Sequence, residues 1–307
     1  MPEPAAGSGG PAPAPTATSP ARALALVEAW PAWPSGAASA GVACLRPGVG
    51  PAVVDSVGDP SRPSAWASVS KLLVALAVLV GVEEGTVDLD EPAGPPGATV
   101  RHLLAHASGL APDVPRPLAP PGTRRIYSNA GFEVLADHLA ARSGMPFGDY
   151  LAAGVLEPLG MDPGTLPDGA SPAWAMAGPL ADLLALCREL LAPTVVSPAT
   201  VAAAATVAFP GLGGVLPGFG RYDHCDWGLG FELKDAKTPH WTGAANSPGT
   251  FGHFGRAGSF VWVDPAAGVA LAALGGADFG AWAKAAWPAL ADAVVAEWGP
   301  TGAPPGP

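Results

Sequence analysis

The period of the apolar positions changes several times along the chain, and each change marks an element. Residues 21–30, ARALALVEAW, place apolar side chains at helical spacing, and Pro31 and Pro34 end the run. Two short β-like runs follow, GVACLRPG and AVVDSVGD. The turn residues 47–51 separate them, so they predict a hairpin leading toward Ser68. Residues 72–82, LLVALAVLVGV, are apolar almost without interruption and predict a buried helix. From residue 82 to about 200 the pattern is mostly helical, broken by Pro/Gly loops, with RHLLAHASGL, GFEVLADHLAARSG and PLADLLALCREL as its clearest stretches. From Trp227 the period shortens to strand-like runs, WGLGFELK, GSFVWVDP and GVALAALGG, the last two joined by the turn DPAAG. A final helical pattern, FGAWAKAAWPALADAVVAEW, closes the chain, with Pro288 expected either to kink it or to start a new helix. No repeat of 20 to 50 residues is present. The order of helix, strands, helices, strands and helix predicts an α/β (α+β) sheet interrupted by a helical lobe at about 82–200.

Composition narrows the function. A chain of 307 residues is long enough to enclose a pocket. Its 49% hydrophobic and 13% charged content is that of a folded domain, here expected over 21–299 between Pro/Ala-rich tails at 1–20 and 300–307. A formal charge of -11 without a basic cluster speaks against nucleic acid or anionic lipid as a partner and for a small-molecule or peptide substrate. The 72–82 run falls short of the ~20 residues that cross a bilayer. The N-terminus, MPEPAAGSGGPAPAPTATSP, lacks the basic and apolar regions of a secretory signal, which predicts a cytoplasmic location. The three cysteines are scattered and suggest neither a disulfide framework nor a zinc cage.

Candidate chemistry begins with S-V-S-K, residues 68–71. Lys71 is one of only four lysines, yet it abuts the apolar run. Residues three apart share a helix face, so the Lys71 amine can reach the Ser68 hydroxyl and accept its proton if burial lowers its pKa. Ser70 points to another face and is the weaker nucleophile. The competing reading makes Ser68 a helix cap and sends Lys71 to solvent. A second element, Tyr127-Ser128-Asn129, places one of the 3 tyrosines two residues before one of two asparagines. The phenol can exchange protons beside Lys71 and Asn129 can orient a substrate, although Ser128 or Asn129 can equally cap a helix. A third element, His253-Phe254-Gly255, precedes a strand. Backbone N–H groups of Ser68 and Arg256 could form an oxyanion hole there, with His253 alternatively a structural histidine.

In this order the three elements resemble the serine β-lactamase-related family, which includes class C β-lactamases, D-Ala-D-Ala carboxypeptidases and esterases of the same fold. LLAHASGL, PPGTRRIYSN, LEPLGM and WGLGF also look like that family. The resemblance implies an antiparallel sheet flanked by helices with an inserted helical lobe. It implies acylation on Ser68, proton transfer by Lys71 and Tyr127, substrate contacts from Asn129, His253 and Gly255, and no cofactor or metal. Phe254 stands where members acting on β-lactams or cell-wall peptides typically carry a hydroxyl, which favours a small ester or amide over a β-lactam or D-alanyl-D-alanine peptide. A member that binds a ligand without turnover is the alternative of another class. HLLAH (His102, His106) lacks the glutamate of a zinc protease, DHCD at 223–226 lacks a second ligand cluster, and neither G-x-S-x-G nor a P-loop occurs.

Overall fold

A six-stranded sheet, antiparallel at every pairing, forms the backbone of the molecule. The structure is a computed structural model that describes residues 22–29 and 38–300. The expected tails lie outside these residues, apart from residue 300, as do Pro31 and Pro34. In chain order the helices are α1 (Ala25–Ala29), α2 (Ser70–Glu83), α3 (Val100–Leu104), α4 (Asn129–Ser143), α5 (Phe147–Leu151), α6 (Leu180–Leu191), α7 (Pro198–Ala204) and α8 (Ala281–Trp298). The strands are β1 (Ser39–Arg46), β2 (Gly50–Val57), β3 (Ser64–Ala65), β4 (Ala177–Gly178), β5 (Gly214–Leu216), β6 (Gly220–Tyr222), β7 (Glu232–Leu233), β8 (Phe251–Phe254), β9 (Phe260–Asp264) and β10 (Val269–Leu274). The large sheet has the order β2-β1-β10-β9-β8-β7, and β3 with β4 and β5 with β6 form separate two-stranded pairs.

The expected hairpin is β1–β2, and β9–β10 turns at 265–268 where DPAAG predicts it. Because successive side chains leave a strand on opposite faces, β10 divides its six apolar residues between two cores. Ala270, Ala272 and Leu274 join a cluster with α2, α4 and α6, whereas Val269, Leu271 and Ala273 join another with α1 and α8. A strand covered on both faces reads as continuous apolar sequence. Gly41 in β1 lets α6 come close, since a Cβ there would lie 2.8 Å from Leu184 Cδ1. Helix α2 is apolar on all sides because it lies inside the molecule, buried from Ser70 to Gly81 and packed by α4 and α5. Each of its leucines removed from water contributes about 1.5–3 kcal/mol. The segment between α2 and β5 carries helices α3–α7 and only the short β4 strand.

One local expectation is corrected. WGLGFELK is a strand only at Glu232–Leu233. Its glycines turn the chain: Gly228 N–H bonds to the Phe231 carbonyl at 2.8 Å, and Gly230, at φ +86°, donates to the Leu104 carbonyl at 3.0 Å. His253, Phe254 and Gly255 precede a strand, β9, as expected, and the first two also end β8. Helix α8 continues through Pro288 as one element, the Lys284 carbonyl losing the N–H partner that any other residue at 288 would offer.

Candidate active site

Ser68 occupies a 3-10 turn, Ala67–Val69, that passes directly into α2. Ala67 has a φ of +46°, a left-handed conformation that costs energy for a residue with a Cβ. Neighbouring groups hold it in place. The Ser70 hydroxyl donates to the Ala67 carbonyl at 2.6 Å and accepts the Met176 N–H at 3.2 Å, so Ser70 is a brace, buried away from Ser68. The Ser259 hydroxyl donates to the Trp66 carbonyl at 2.6 Å, and the buried Trp66 indole donates to the Gly178 carbonyl at 3.1 Å. Gly255 completes the arrangement: a Cβ there would stand 2.3 Å from the Trp66 carbonyl oxygen and 2.5 Å from Ser259 Oγ. Only glycine lets the end of β8 close onto the turn that carries Ser68.

Lys71, one turn along, does not snorkel to solvent. It is fully buried, and its Nζ donates to Asn129 Oδ1 at 2.6 Å, the Ala173 carbonyl at 2.9 Å and Ser68 Oγ at 3.4 Å. Burial pulls its pKa down to about 7, against the opposing pull of the Glu133 and Asp113 charges. The ammonium site also lies 4.8 Å from the centroid of the Tyr127 ring. Tyr127 shares a side-chain hydrogen bond with Ser68, but burial pushes its phenol well above the usual tyrosine range. Near neutral pH the pair therefore offers one base, the amine, and one proton donor, the phenol.

Helix α4 brings Asn129 into place. Ser128 is its N-cap, accepting the Gly131 N–H at 2.9 Å and donating to the Ala111 carbonyl at 2.7 Å. The capping and site roles of this motif thus fall on adjacent residues. Asn129 Nδ2 donates to Asp113 at 2.7 Å, which fixes Oδ1 toward Lys71. Beneath Tyr127, His106 accepts the Ser128 N–H on Nδ1 at 3.1 Å and packs 4.6 Å from the Tyr127 ring centroid. His102 faces elsewhere, bonded to Thr99 and stacked on Phe209.

At the end of β8 the side chains diverge. His253 turns toward Tyr127 and Trp227, with ring centroids 5.8 and 5.4 Å away. Its Nδ1 lies 2.7 Å from the Phe254 carbonyl and so carries the proton, and burial beside Lys71 lowers its pKa to about 3. The ring is neutral. Phe254 packs into an aromatic cluster with Phe219, Phe279 and Trp287. A mainly apolar cavity of about 290 Å³ is lined by Ser68, Tyr127, Asn129, His253 and Arg256, with Trp227, Phe254, Phe279 and the 216–218 loop supplying most of its wall. The predicted site residues therefore converge: five line the cavity, Lys71 lies beneath and Gly255 behind.

A family model described as Beta-lactamase matches residues 59–295. The chain belongs to the beta-lactamase family. As a member of that family it is a serine hydrolase. A beta-lactamase from Mycobacterium bovis is 51% identical, with a TM-score of 0.85 over 90% of this chain and 99% of that one. The D-alanyl-D-alanine-carboxypeptidase/endopeptidase AmpH of Escherichia coli K12 is 30% identical over 132 residues, 31% of this chain and 34% of its own length. The chain thus spans about a third of the length of the curated relatives it matches. Simvastatin synthase LovD from Aspergillus terreus, unliganded, shares the fold at 18% identity and a TM-score of 0.66, over 86% of this chain and 94% of that one.

Several groups at the site escape a reading of the sequence. Asp113, Glu133, His106, Trp227 and the Ala173 carbonyl surround the motif residues, yet each comes from a separate loop or helix. Glu232 lines the cavity as well. Burial alone would raise its pKa, but His240 and Lys237, each within 2.9 Å, hold it down to about 2. Among the described residues no helix is long and apolar enough to cross a membrane.

Proposed function

We propose that this serine hydrolase works through an acyl-enzyme on Ser68 and acts on a small ester or amide that is uncharged beside its scissile bond. The observation that carries this reading is the buried Lys71 amine, 3.4 Å from Ser68 Oγ with a pKa near 7. The neutral amine takes the Ser68 proton as Oγ attacks the carbonyl carbon. The peptide N–H groups of Ser68 and Arg256 receive the developing oxyanion. As the tetrahedral intermediate collapses, the Tyr127 phenol protonates the leaving oxygen or nitrogen and is restored from the Lys71 ammonium. Water then cleaves the acyl-enzyme with the same amine as base. The apolar cavity and the inward packing of Phe254 favour an uncharged group next to the reacting carbonyl.

The similarity to a beta-lactamase and to the peptidase AmpH supports a second reading, turnover of a β-lactam or a D-alanyl peptide. A fluorophosphonate probe tests the shared chemistry. Intact mass should show one adduct on the wild-type protein, mapping to Ser68, and none on Ser68→Ala. Absence of an adduct on folded wild-type protein would make this a member that binds without turnover. A short-chain aryl ester should then be hydrolysed faster than a chromogenic cephalosporin, and the reverse order would establish the second reading.

A further inference from the structure

Three of the four lysines in this acidic chain, Lys234, Lys237 and Lys284, line a second cavity of about 420 Å³, together with His240. Among the described residues that line it there is no carboxylate. The charges are not all spent on the protein. Lys237 is buried, paired with Glu232 at 2.8 Å and bonded to the Asp226 carbonyl at 2.8 Å, while His240 holds the other Glu232 oxygen at 2.9 Å. That cluster is balanced. Lys234 donates to the neutral Asn246 carbonyl at 2.6 Å, and Lys284 extends from α8 over the Phe219 ring, 5.6 Å from its centroid. These two ammonium groups leave the basin positive within a molecule of net charge -11.

The position of the basin connects it to the candidate active site. Gly218 lines both cavities, and Glu232, which faces the first, is held by Lys237 and His240, which face the second. Phe219, beside Gly218, touches Phe254 and Phe279 of the first cavity wall. The two cavities therefore adjoin at the 218–219 corner.

We propose that this basin is an anion subsite that receives a carboxylate at the far end of the substrate. The substrate would then be neutral at its scissile bond and acidic at its tail. This assignment rests on the serine hydrolase reading for turnover, but not for binding, and the two are tested apart.

Aryl and alkyl esters with lengthening methylene spacers, ending in either a carboxylate or the isosteric carboxamide, give a discrimination ratio in kcat/KM. The wild-type protein should prefer the carboxylate at one spacer length. Lys284→Gln, a change at an exposed side chain, should reduce that ratio about threefold, the size of one charge interaction at an exposed site. Raising the salt from about 0.05 to about 0.5 M should reduce it as well. A ratio unchanged by Lys284→Gln, or no carboxylate preference at any length, overturns the proposal. If no ester is turned over, calorimetry of adipate with the Ser68→Ala protein still decides. Adipate binding that weakens about threefold in Ser68→Ala/Lys284→Gln supports the subsite. Absent binding, or equal affinity for adipate and its diamide, rejects it.

Discussion

Lys71 Nζ is held more closely by Asn129 Oδ1, at 2.6 Å, than by the Ser68 hydroxyl at 3.4 Å. The amide acts as a fixed post that points the amine, and Asp113 on its other end keeps it from turning. Asn129→Ala should lower kcat about tenfold or more on a short-chain ester, because the amine loses a constraint on its placement. Asn129→Asp separates placement from charge. It keeps the acceptor but sets a carboxylate beside Lys71, raising the pKa of the amine and moving the acidic limb of the kcat/KM profile to higher pH. A limb that stays in place would mean that Lys71 is not the base.

The same reasoning predicts the shape of the wild-type profile. Proton acceptance needs the neutral amine, so kcat/KM should rise with pH, bend near 7 and level off above it. Glu133 opposes the effect of burial by raising the Lys71 pKa. Glu133→Gln should therefore shift the bend to lower pH and retain more activity in acid than the wild type does. Rates on one aryl ester across pH 5 to 9, for both proteins, check the sign.

Much of this arrangement was legible in the sequence. S-V-S-K, Y-S-N and H-F-G lie far apart in the chain, yet each is short enough to be read whole, and Ser68, Tyr127 and His253 meet at one cavity. The hairpins were readable from the turn residues between their apolar runs, and the long helix from an unbroken apolar run too long for a strand. What failed to show depends on tertiary contact. WGLGFELK alternates like a strand, but its glycines bend the chain onto α3. Asp113 and Glu133 act on Lys71 through space, and nothing in their local sequence marks them. The left-handed Ala67 is likewise invisible, since alanine there is chosen against local preference and is held by Ser70 and the Trp66 segment.

Gly255→Ala tests the closure of β8 on the nucleophile turn. The added methyl would meet the Trp66 carbonyl at 2.3 Å, a backbone atom that cannot swing aside. Either β8 or the Ser68 turn must move, so hydrolysis should fall by about 100-fold or more, as a displacement of an ångström near reacting groups commonly does. Circular dichroism should show the fold retained. Activity near the wild-type level would mean that the turn and β8 are not tightly coupled.

Glu232→Gln probes the buried ion cluster that separates the two cavities. Removing the charge leaves Lys237 buried with carbonyl oxygens but no anion, a loss of about 3–5 kcal/mol for a broken buried pair. The pH dependence follows from the sign of the shift. The folded-state pKa of Glu232, about 2, lies below its ordinary value of 4.5, so its stabilisation is fully present above about 4.5 and fades as pH falls toward 2. The difference in unfolding free energy between wild type and Glu232→Gln should thus be large at pH 7 and narrow progressively below about 4.5. Denaturant titrations at pH 7, 4 and 3 measure it. A difference that stays constant down to pH 3 would mean that the carboxylate is not stabilised by Lys237 and His240, and that the wall between the cavities is held by packing alone.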